Sequence, residues 1–230
     1  MNVGITNGLK IQCGDIGNAY LESYTKEKVY FIAGPEFGEL EGHTMVIVKA
    51  LYGLRTSGKR YHERWSDVMR TEGFLPSRGD PNVWFRDAGN CYEYVCVYVD
   101  DLMAIMKDPG GFFTKIQDPK IYGFKMKGVG PPKYHLGGNF GYDEDGTLWY
   151  GSSTYVEKVM AAYERHFGSL PSIKRIGSPL EDGDHPELDT SDILDEDGKA
   201  IYMSLVGCLQ WAVTLNRFDI AYAVMVLSRF

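Results

Sequence analysis

The apolar pattern of this chain centres on Tyr92-Glu93-Tyr94-Val95-Cys96-Val97-Tyr98-Val99-Asp100-Asp101-Leu102-Met103-Ala104-Ile105-Met106. Valines and tyrosines favour strand, and apolar residues at both parities predict a buried one. The run is interrupted by two adjacent carboxylates, so it predicts a hairpin with Asp100 and Asp101 at its tip. Two unpaired carboxylates on a buried hairpin are costly. The cost falls if a divalent cation sits there, since Mg²⁺ takes oxygen ligands. The plainer alternative is an ordinary turn that carries Asp-Asp.

The same patterning places the other elements. Leu9, Ile11 and Cys13 alternate into a strand that ends near Asp15, a position equally suited to a turn residue or a helix cap. Short strands are predicted at Tyr30–Pro35 and Met45–Val48. Ser57 can cap a helix with Tyr61, Trp65, Val68 and Met69 on one face. Gly89-Asn90 turns the chain into the Asp100-Asp101 hairpin. Residues 107–124 contain Asp108-Pro109-Gly110-Gly111 and Pro119 and have weak periodicity, so no helix is placed there. Asp143–Gly146 is a turn between Gly138–Tyr142 and Thr147–Tyr150. Thr154-x-x-Glu157 is a capping box, opening a helix whose Tyr155, Val159, Tyr163 and Phe167 form a core stripe. Ile201–Trp211 and Asn216–Val224 predict two largely apolar helices. The fold class is α+β.

Composition changes the picture little. The 230 residues are 44% hydrophobic, enough for a real core in one large or two small domains. Cys13, Cys91, Cys96 and Cys208 have no paired ligand spacing and are expected to be reduced, without a zinc site. No signal pattern or membrane-length apolar run is present, which predicts a soluble, intracellular protein with no membrane partner. The formal charge of −7 argues against nucleic acid. Nine of the acids lie between Glu181 and Asp197, in a stretch without Lys or Arg. Without them 24 basic residues face 22 acidic ones, so the body is near neutral. Residues 181–198 are expected to form a solvated loop; His185 among its carboxylates is weak evidence for a metal.

Candidate chemistry follows from pairs of motifs. Tyr-Val-Asp-Asp on a hairpin, preceded by Asp15-x-x-x-Ala19-Tyr20, resembles the two metal-binding motifs of reverse transcriptases. Lys49-x-Leu51-Tyr52-Gly53-Leu54-Arg55 before a basic, Trp-bearing helix is similar to the reverse transcriptase of copia-like LTR retrotransposons. Gly73-Phe74, Asp80-Pro81-Asn82-Val83-Trp84, Lys133-Tyr134-His135-Leu136-Gly137, Tyr202-x-Ser204-Leu205-x-Gly207 and Asp219-Ile220 continue the pattern in the family's order. The resemblance runs from about Asn7 to Phe230.

It implies a palm with an antiparallel sheet and packed helices over 1–150, then a smaller helical, thumb-like part over 151–230. It implies RNA-directed DNA polymerisation: two-metal transfer of deoxynucleotides onto a primer paired with an RNA or DNA template. Asp15, Asp100 and Asp101 would hold two Mg²⁺ or Mn²⁺ ions, which such chemistry needs about 3.5–4 Å apart. Tyr20 would lie under the incoming sugar, where its ring excludes a 2′-hydroxyl; as a bare residue it is equally a core aromatic. Arg55, Lys59 and Arg60 would approach nucleotide or template phosphates, although the same charges suit a solvated helix face. Lys133 and Tyr134 would cradle the primer. Lys125 or Lys127 would protonate the leaving pyrophosphate, unless both are surface lysines.

The chain departs from the family at Thr56, Gly58 and Phe218, where Gln, Pro and Pro are usual. Few residues precede Asp15 and the sequence stops at Phe230, so fingers, RNase H, integrase and protease segments are expected to be absent. These features support a second expectation, a catalytically inert remnant that binds nucleic acid weakly or interacts with other copies. A third, an unrelated metal-dependent phosphotransferase or nuclease, needs only the carboxylates.

Overall fold

The strand-forming hairpin at Tyr92–Met106 sits at the centre of the first of two units. A computed structural model describes residues 1–170, 177–180, 188 and 190–229. The units are Met1–Pro132 and Lys133–Phe230.

The first unit begins with helix α1 (Asn2–Thr6) and strand β1 (Lys10–Ile16), followed by a 3₁₀ turn at Ala19–Glu22. Strands β2 (Tyr24–Ile32) and β3 (Thr44–Lys49) form a separate two-stranded antiparallel ribbon. Then come α2 (Ser57–Thr71), β4 (Leu75–Pro76), β5 (Val83–Asp87), β6 (Tyr92–Tyr98), β7 (Asp101–Met106), α3 (Pro109–Gln117) and β8 (Met126–Gly130). Six strands make one sheet in the order β4-β5-β6-β7-β1-β8, with every neighbouring pair antiparallel. The first strand of the chain is therefore inserted beside the last strand of the central hairpin.

Period-two alternation sorts the side chains of this sheet. Leu102, Ala104 and Met106 of β7, Val95 and Val97 of β6, and Ile16 of β1 join one core with Tyr61, Trp65, Val68 and Met69 of α2 and Phe112, Phe113 and Ile116 of α3. The helices thus cover one face. The other parity of β7, with Met103 and Ile105, meets Ile11 and Cys13 of β1 on the opposite face. There α1 lies so close that a Cβ at Gly4 would overlap Ile105.

Two details of this unit differ from the sequence-based expectation. Helix α3 does exist in 107–124: Asp108 caps it by accepting from the Gly111 N–H at 3.0 Å, and Pro109 takes the first turn, where its missing N–H costs nothing. Ser57 does not cap α2. Its hydroxyl is buried without a hydrogen-bond partner, and the helix begins behind Thr56.

The second unit has a small antiparallel sheet of β9 (Tyr134–His135), β10 (Gly138–Tyr142) and β11 (Leu148–Gly151), then α4 (Ser153–Phe167), α5 (Glu196–Thr214) and α6 (Ala221–Leu227). The capping box of α4 is not formed. Asn139 of β10 does that work instead, its Oδ1 accepting from the Thr154 N–H at 3.0 Å while its Nδ2 donates to Thr154 Oγ1 at 2.8 Å. The α4 stripe is half-buried rather than core, and Phe167 is exposed. Tyr155 and Tyr202 anchor this unit by donating to the Cys208 and Leu227 carbonyls.

The acidic stretch divides. Residues 181–187, with His185, lie outside the described residues. Glu196 and Asp197 are not loop but the first turn of α5, capped by Asp195 through the Gly198 N–H at 2.8 Å. Acids at a helix N-terminus are favoured by its dipole. Among the described residues no helix is long and apolar enough to cross a membrane.

Candidate active site

Strands β6 and β7 are joined by a two-residue turn, Val99-Asp100, closed by the pair Tyr98 and Asp101. Val99 has φ 54°. A tight hairpin turn of this length needs positive φ at its first central residue, which glycine adopts freely. A β-branched residue there is a true outlier and carries roughly 1–3 kcal/mol of strain. That strain is stored directly before Asp100.

Strand β1 runs antiparallel to β7 with Asp15 opposite Asp101. Residues opposite one another share a face, with Cβ atoms about 4.5–5.5 Å apart. Parity puts this pair on the sheet face away from α2 and α3. Asp100 is held alongside, since its carbonyl accepts from the Ile16 N–H at 2.8 Å. Three carboxylate-bearing residues from two separate stretches of chain thus meet at one end of β1 and β7.

Their surroundings differ. The Cys13 thiol is pushed up to about 12 by burial first, then by the Asp101 carboxylate and by Cys96. It therefore stays a thiol at neutral pH and is no nucleophile. The Tyr52 phenol is raised by burial and then by Asp100, Tyr20 and Asp15. The Tyr61 phenol, buried without a hydrogen-bond partner, is raised by burial and then by Asp100. The Asp100 charge is thus felt by Tyr52 and Tyr61, and the Asp101 charge by Cys13.

Tyr20 lies in the 3₁₀ turn after β1. Its ring is stacked against Tyr52 at a centroid distance of 4.4 Å and tilted against Tyr61 at 6.0 Å. On its other side Asp15 is opposite Lys127 of β8, whose aliphatic end lies over Gly17. Lys125 is exposed, and its carbonyl accepts from the Gly17 N–H at 2.7 Å.

Of the predicted phosphate-binding cations, Arg55 is exposed, as is Lys59, which lies 4.0 Å from Glu63. Arg60 is mostly buried and paired with Glu63 at 2.7 Å. Lys133 and Tyr134 belong to the second unit. The Lys133 carbonyl accepts from the Phe140 N–H, and Lys158 lies over the Tyr134 ring at 5.6 Å.

The carboxylates suit a hard divalent cation, which prefers oxygen ligands. Among the described residues no three His, Cys, Asp or Glu side chains stand close enough together to hold a metal alone. Mg²⁺ does not require that: it is commonly bound by one or two carboxylates together with substrate phosphates and water. The opposed Asp15 and Asp101, with Asp100 beside them, fit such a partial site.

Residues 2–166 match the family described as reverse transcriptase (RNA-dependent DNA polymerase). The chain belongs to this family. It is 29% identical to the Retrovirus-related Pol polyprotein from transposon TNT 1-94 of Nicotiana tabacum, over 96% of this chain and 17% of that protein. It is 26% identical to the transposon Ty5-1 protein of Saccharomyces cerevisiae, over 94% of this chain and 68% of that one. It is 25% identical to the Retrovirus-related Pol polyprotein from transposon RE1 of Arabidopsis thaliana, over the whole chain and 15% of that protein. The chain therefore spans about a sixth of the length of the Pol polyproteins it matches. No solved structure matches it. It is a reverse transcriptase domain of the copia-like retrotransposon kind, with a mixed α+β fold built on antiparallel sheets.

Tyr52 was not among the residues singled out for the site. The signal was present: Leu51-Tyr52-Gly53-Leu54 is a β-turn closed by the Leu54 N–H and Leu51 carbonyl, with Gly53 at φ 92°. Glycine at the third turn position leaves the second residue presented at the corner.

Proposed function

We propose that this domain extends a primer on an RNA or DNA template with deoxynucleotides, by nucleotidyl transfer at Asp15, Asp100 and Asp101. The observation that carries the reading is the register that sets Asp15 opposite Asp101, beside a strained turn that presents Asp100. Divalent cations bound there, Mg²⁺ or Mn²⁺, would supply charge neutralisation for the attacking and leaving oxygens.

The chain's own residues do the rest. Asp15 and Asp101 contribute oxygen ligands from rigid strands, which hold geometry better than loops. Asp100 contributes a third from the turn. The Tyr20 cluster forms an apolar wall on the Asp100 side of the site, against which a deoxyribose packs and a 2′-hydroxyl loses its water without gaining a partner. Lys127, across the strand from Asp15, is placed to neutralise or protonate a leaving pyrophosphate. Arg55 and Lys59 supply exposed positive charge for phosphates. In the second unit Lys133 and Tyr134, with Lys158, offer a cation and an aromatic ring, the pairing that single strands use for backbone and base.

The second reading, a folded relative without catalysis, draws on the same site: among the described residues no three acidic side chains stand close enough to hold a metal by themselves. Primer extension on poly(rA)–oligo(dT) with Mg²⁺ or Mn²⁺ separates the two. Extension that disappears in Asp100→Asn supports polymerisation. Absence of extension from protein with intact circular dichroism supports the inert reading.

A further inference from the structure

The β2–β3 ribbon carries apolar residues on its outside. Its register sets Val29 opposite Ile47, Tyr30 opposite Val46, Phe31 opposite Met45 and Ile32 opposite Thr44. Period-two alternation therefore puts Tyr30, Ile32, Val46 and Val48 on one face, and Val29, Phe31, Met45 and Ile47 on the other. On the second face Val29, Met45 and Ile47 are half-buried, and Phe37 packs on Phe31 at a ring distance of 5.4 Å. The first face is bare: Tyr30 is 70% exposed, Ile32 72%, Val46 66% and Val48 57%.

Scattered apolar residues on a surface are ordinary, but a contiguous apolar sheet face marks an interaction site. Two strands alone are marginal in water, and no other described strand pairs with β2 or β3. The ends of the ribbon differ in charge. Exposed Lys26 and Lys28 lie toward its base, and Lys49 joins them over the Tyr24 ring at 3.9 Å. Glu27, between the two lysines, falls on the other parity. Exposed Glu36, Glu39 and Glu41 gather at the tip, within and just after the 3₁₀ segment Pro35–Leu40. A ribbon that is basic at one end, apolar along one face and acidic at the other end is complementary to itself when turned end for end.

We propose that the face of Tyr30, Ile32, Val46 and Val48 joins two copies of this chain in a two-fold dimer, with the basic base of each ribbon beside the acidic tip of the other. The contact is isologous, so it closes at two copies. The apolar faces supply the burial, and the charged ends fix the direction, since the parallel arrangement would set like charges together. The dimer does not depend on the polymerase reading, and either can fail alone.

Sedimentation equilibrium of the whole chain over about 1–100 μM, where modest interfaces associate, tests this. Wild type is expected to pass from monomer to dimer. Tyr30→Thr with Val46→Thr, which keeps strand propensity and removes apolar surface, is expected to raise the dissociation constant at least about tenfold. Lys26→Glu with Lys28→Glu, and separately Glu39→Lys with Glu41→Lys, are each expected to stay monomeric. Mixed together, these two variants are expected to pair, because both ends of the mixed dimer then bring opposite charges together. The substituted residues are exposed, and circular dichroism checks that each variant folds. Wild type that remains monomeric overturns the proposal and leaves the face to a different partner. So does a dimer indifferent to the threonine variant, which would use another surface, or a mixture that pairs no better than its components. Assembly that grows beyond two copies would show strand addition at the open edges of the ribbon and overturn it as well.

Discussion

Val99→Gly should be more stable than Val99→Ala, reversing the usual order. Val99→Ala removes two methyl groups of an exposed side chain and Val99→Gly one carbon more, so lost packing differs little between them. What remains is backbone. At ordinary φ, glycine costs roughly 0.5–1 kcal/mol relative to alanine, because the unfolded chain has more freedom to lose. At the observed φ of 54° an L-residue pays about 1–2 kcal/mol that glycine does not. The difference favours glycine by about 0.5–1 kcal/mol, or roughly 1–4 °C in melting temperature for a chain of this size. The turn belongs to the first unit, whose Trp65 and Trp84 are buried. Urea denaturation followed by their fluorescence, with Trp149 and Trp211 changed to Phe in every variant, reads that unit. Alanine equal to or more stable than glycine would refute the strained turn. The functional counterpart is opposite in sign. Glycine frees the turn, so a protein that extends primers should do so more slowly with Val99→Gly than with Val99→Ala.

Other consequences of the structure are equally direct. Glu93 is buried, accepts from Arg86 at 2.6 and 3.1 Å through Oε2, and from the Lys107 N–H at 2.8 Å through Oε1. Glu93→Ala leaves Arg86 without its carboxylate and an N–H without its acceptor, so equilibrium unfolding should lose about 3 kcal/mol, with Glu93→Gln costing visibly less. Burial alone would raise the Glu72 carboxyl, but hydrogen bonds from Lys115 and Tyr122 outweigh it and hold it below the ordinary range. A carboxyl lowered in the folded state contributes stability that is complete above its unfolded value of about 4.3 and is lost as pH falls through the folded one. The urea midpoint of the first unit should therefore fall on that acid limb, and less steeply in Glu72→Gln. In the second unit a Cβ at Gly138 would overlap the Tyr150 ring, which packs on Phe140. Gly138→Ala should lower the melting temperature of that unit while the Trp65 and Trp84 signal is unchanged; a uniform shift of both transitions would contradict the division into two units.

Local patterning made the central hairpin and the α2 face legible, because their apolar positions follow one period over many residues. Helix α3 was hidden by its opening Pro109-Gly110-Gly111, poor helix formers whose register is set by the Asp108 cap and by burial of Phe112, Phe113 and Ile116. The α4 capping box was misleading for a related reason. Its Thr154 had a competitor fifteen residues upstream, Asn139, which reaches the helix through the β10 strand. In each case a tertiary partner overrode a local preference.

The site obeys the same logic at longer range. Asp15 and Asp101 are 86 positions apart, and nothing local to either requires them to meet. Their opposition is a consequence of sheet order, in which β1 is the neighbour of β7, and of a register that a shift of one residue would undo by turning Asp15 to the helix-covered face. Motif order along the chain could name the carboxylates without revealing which pair would share a rung. It also drew attention to Tyr20 and away from Tyr52, whose stacking on Tyr20 depends on the turn that Gly53 allows. Gly53 permits the corner at which Tyr52 stands exposed while its ring stacks on Tyr20, an arrangement that joins residues 32 positions apart and has no local signature.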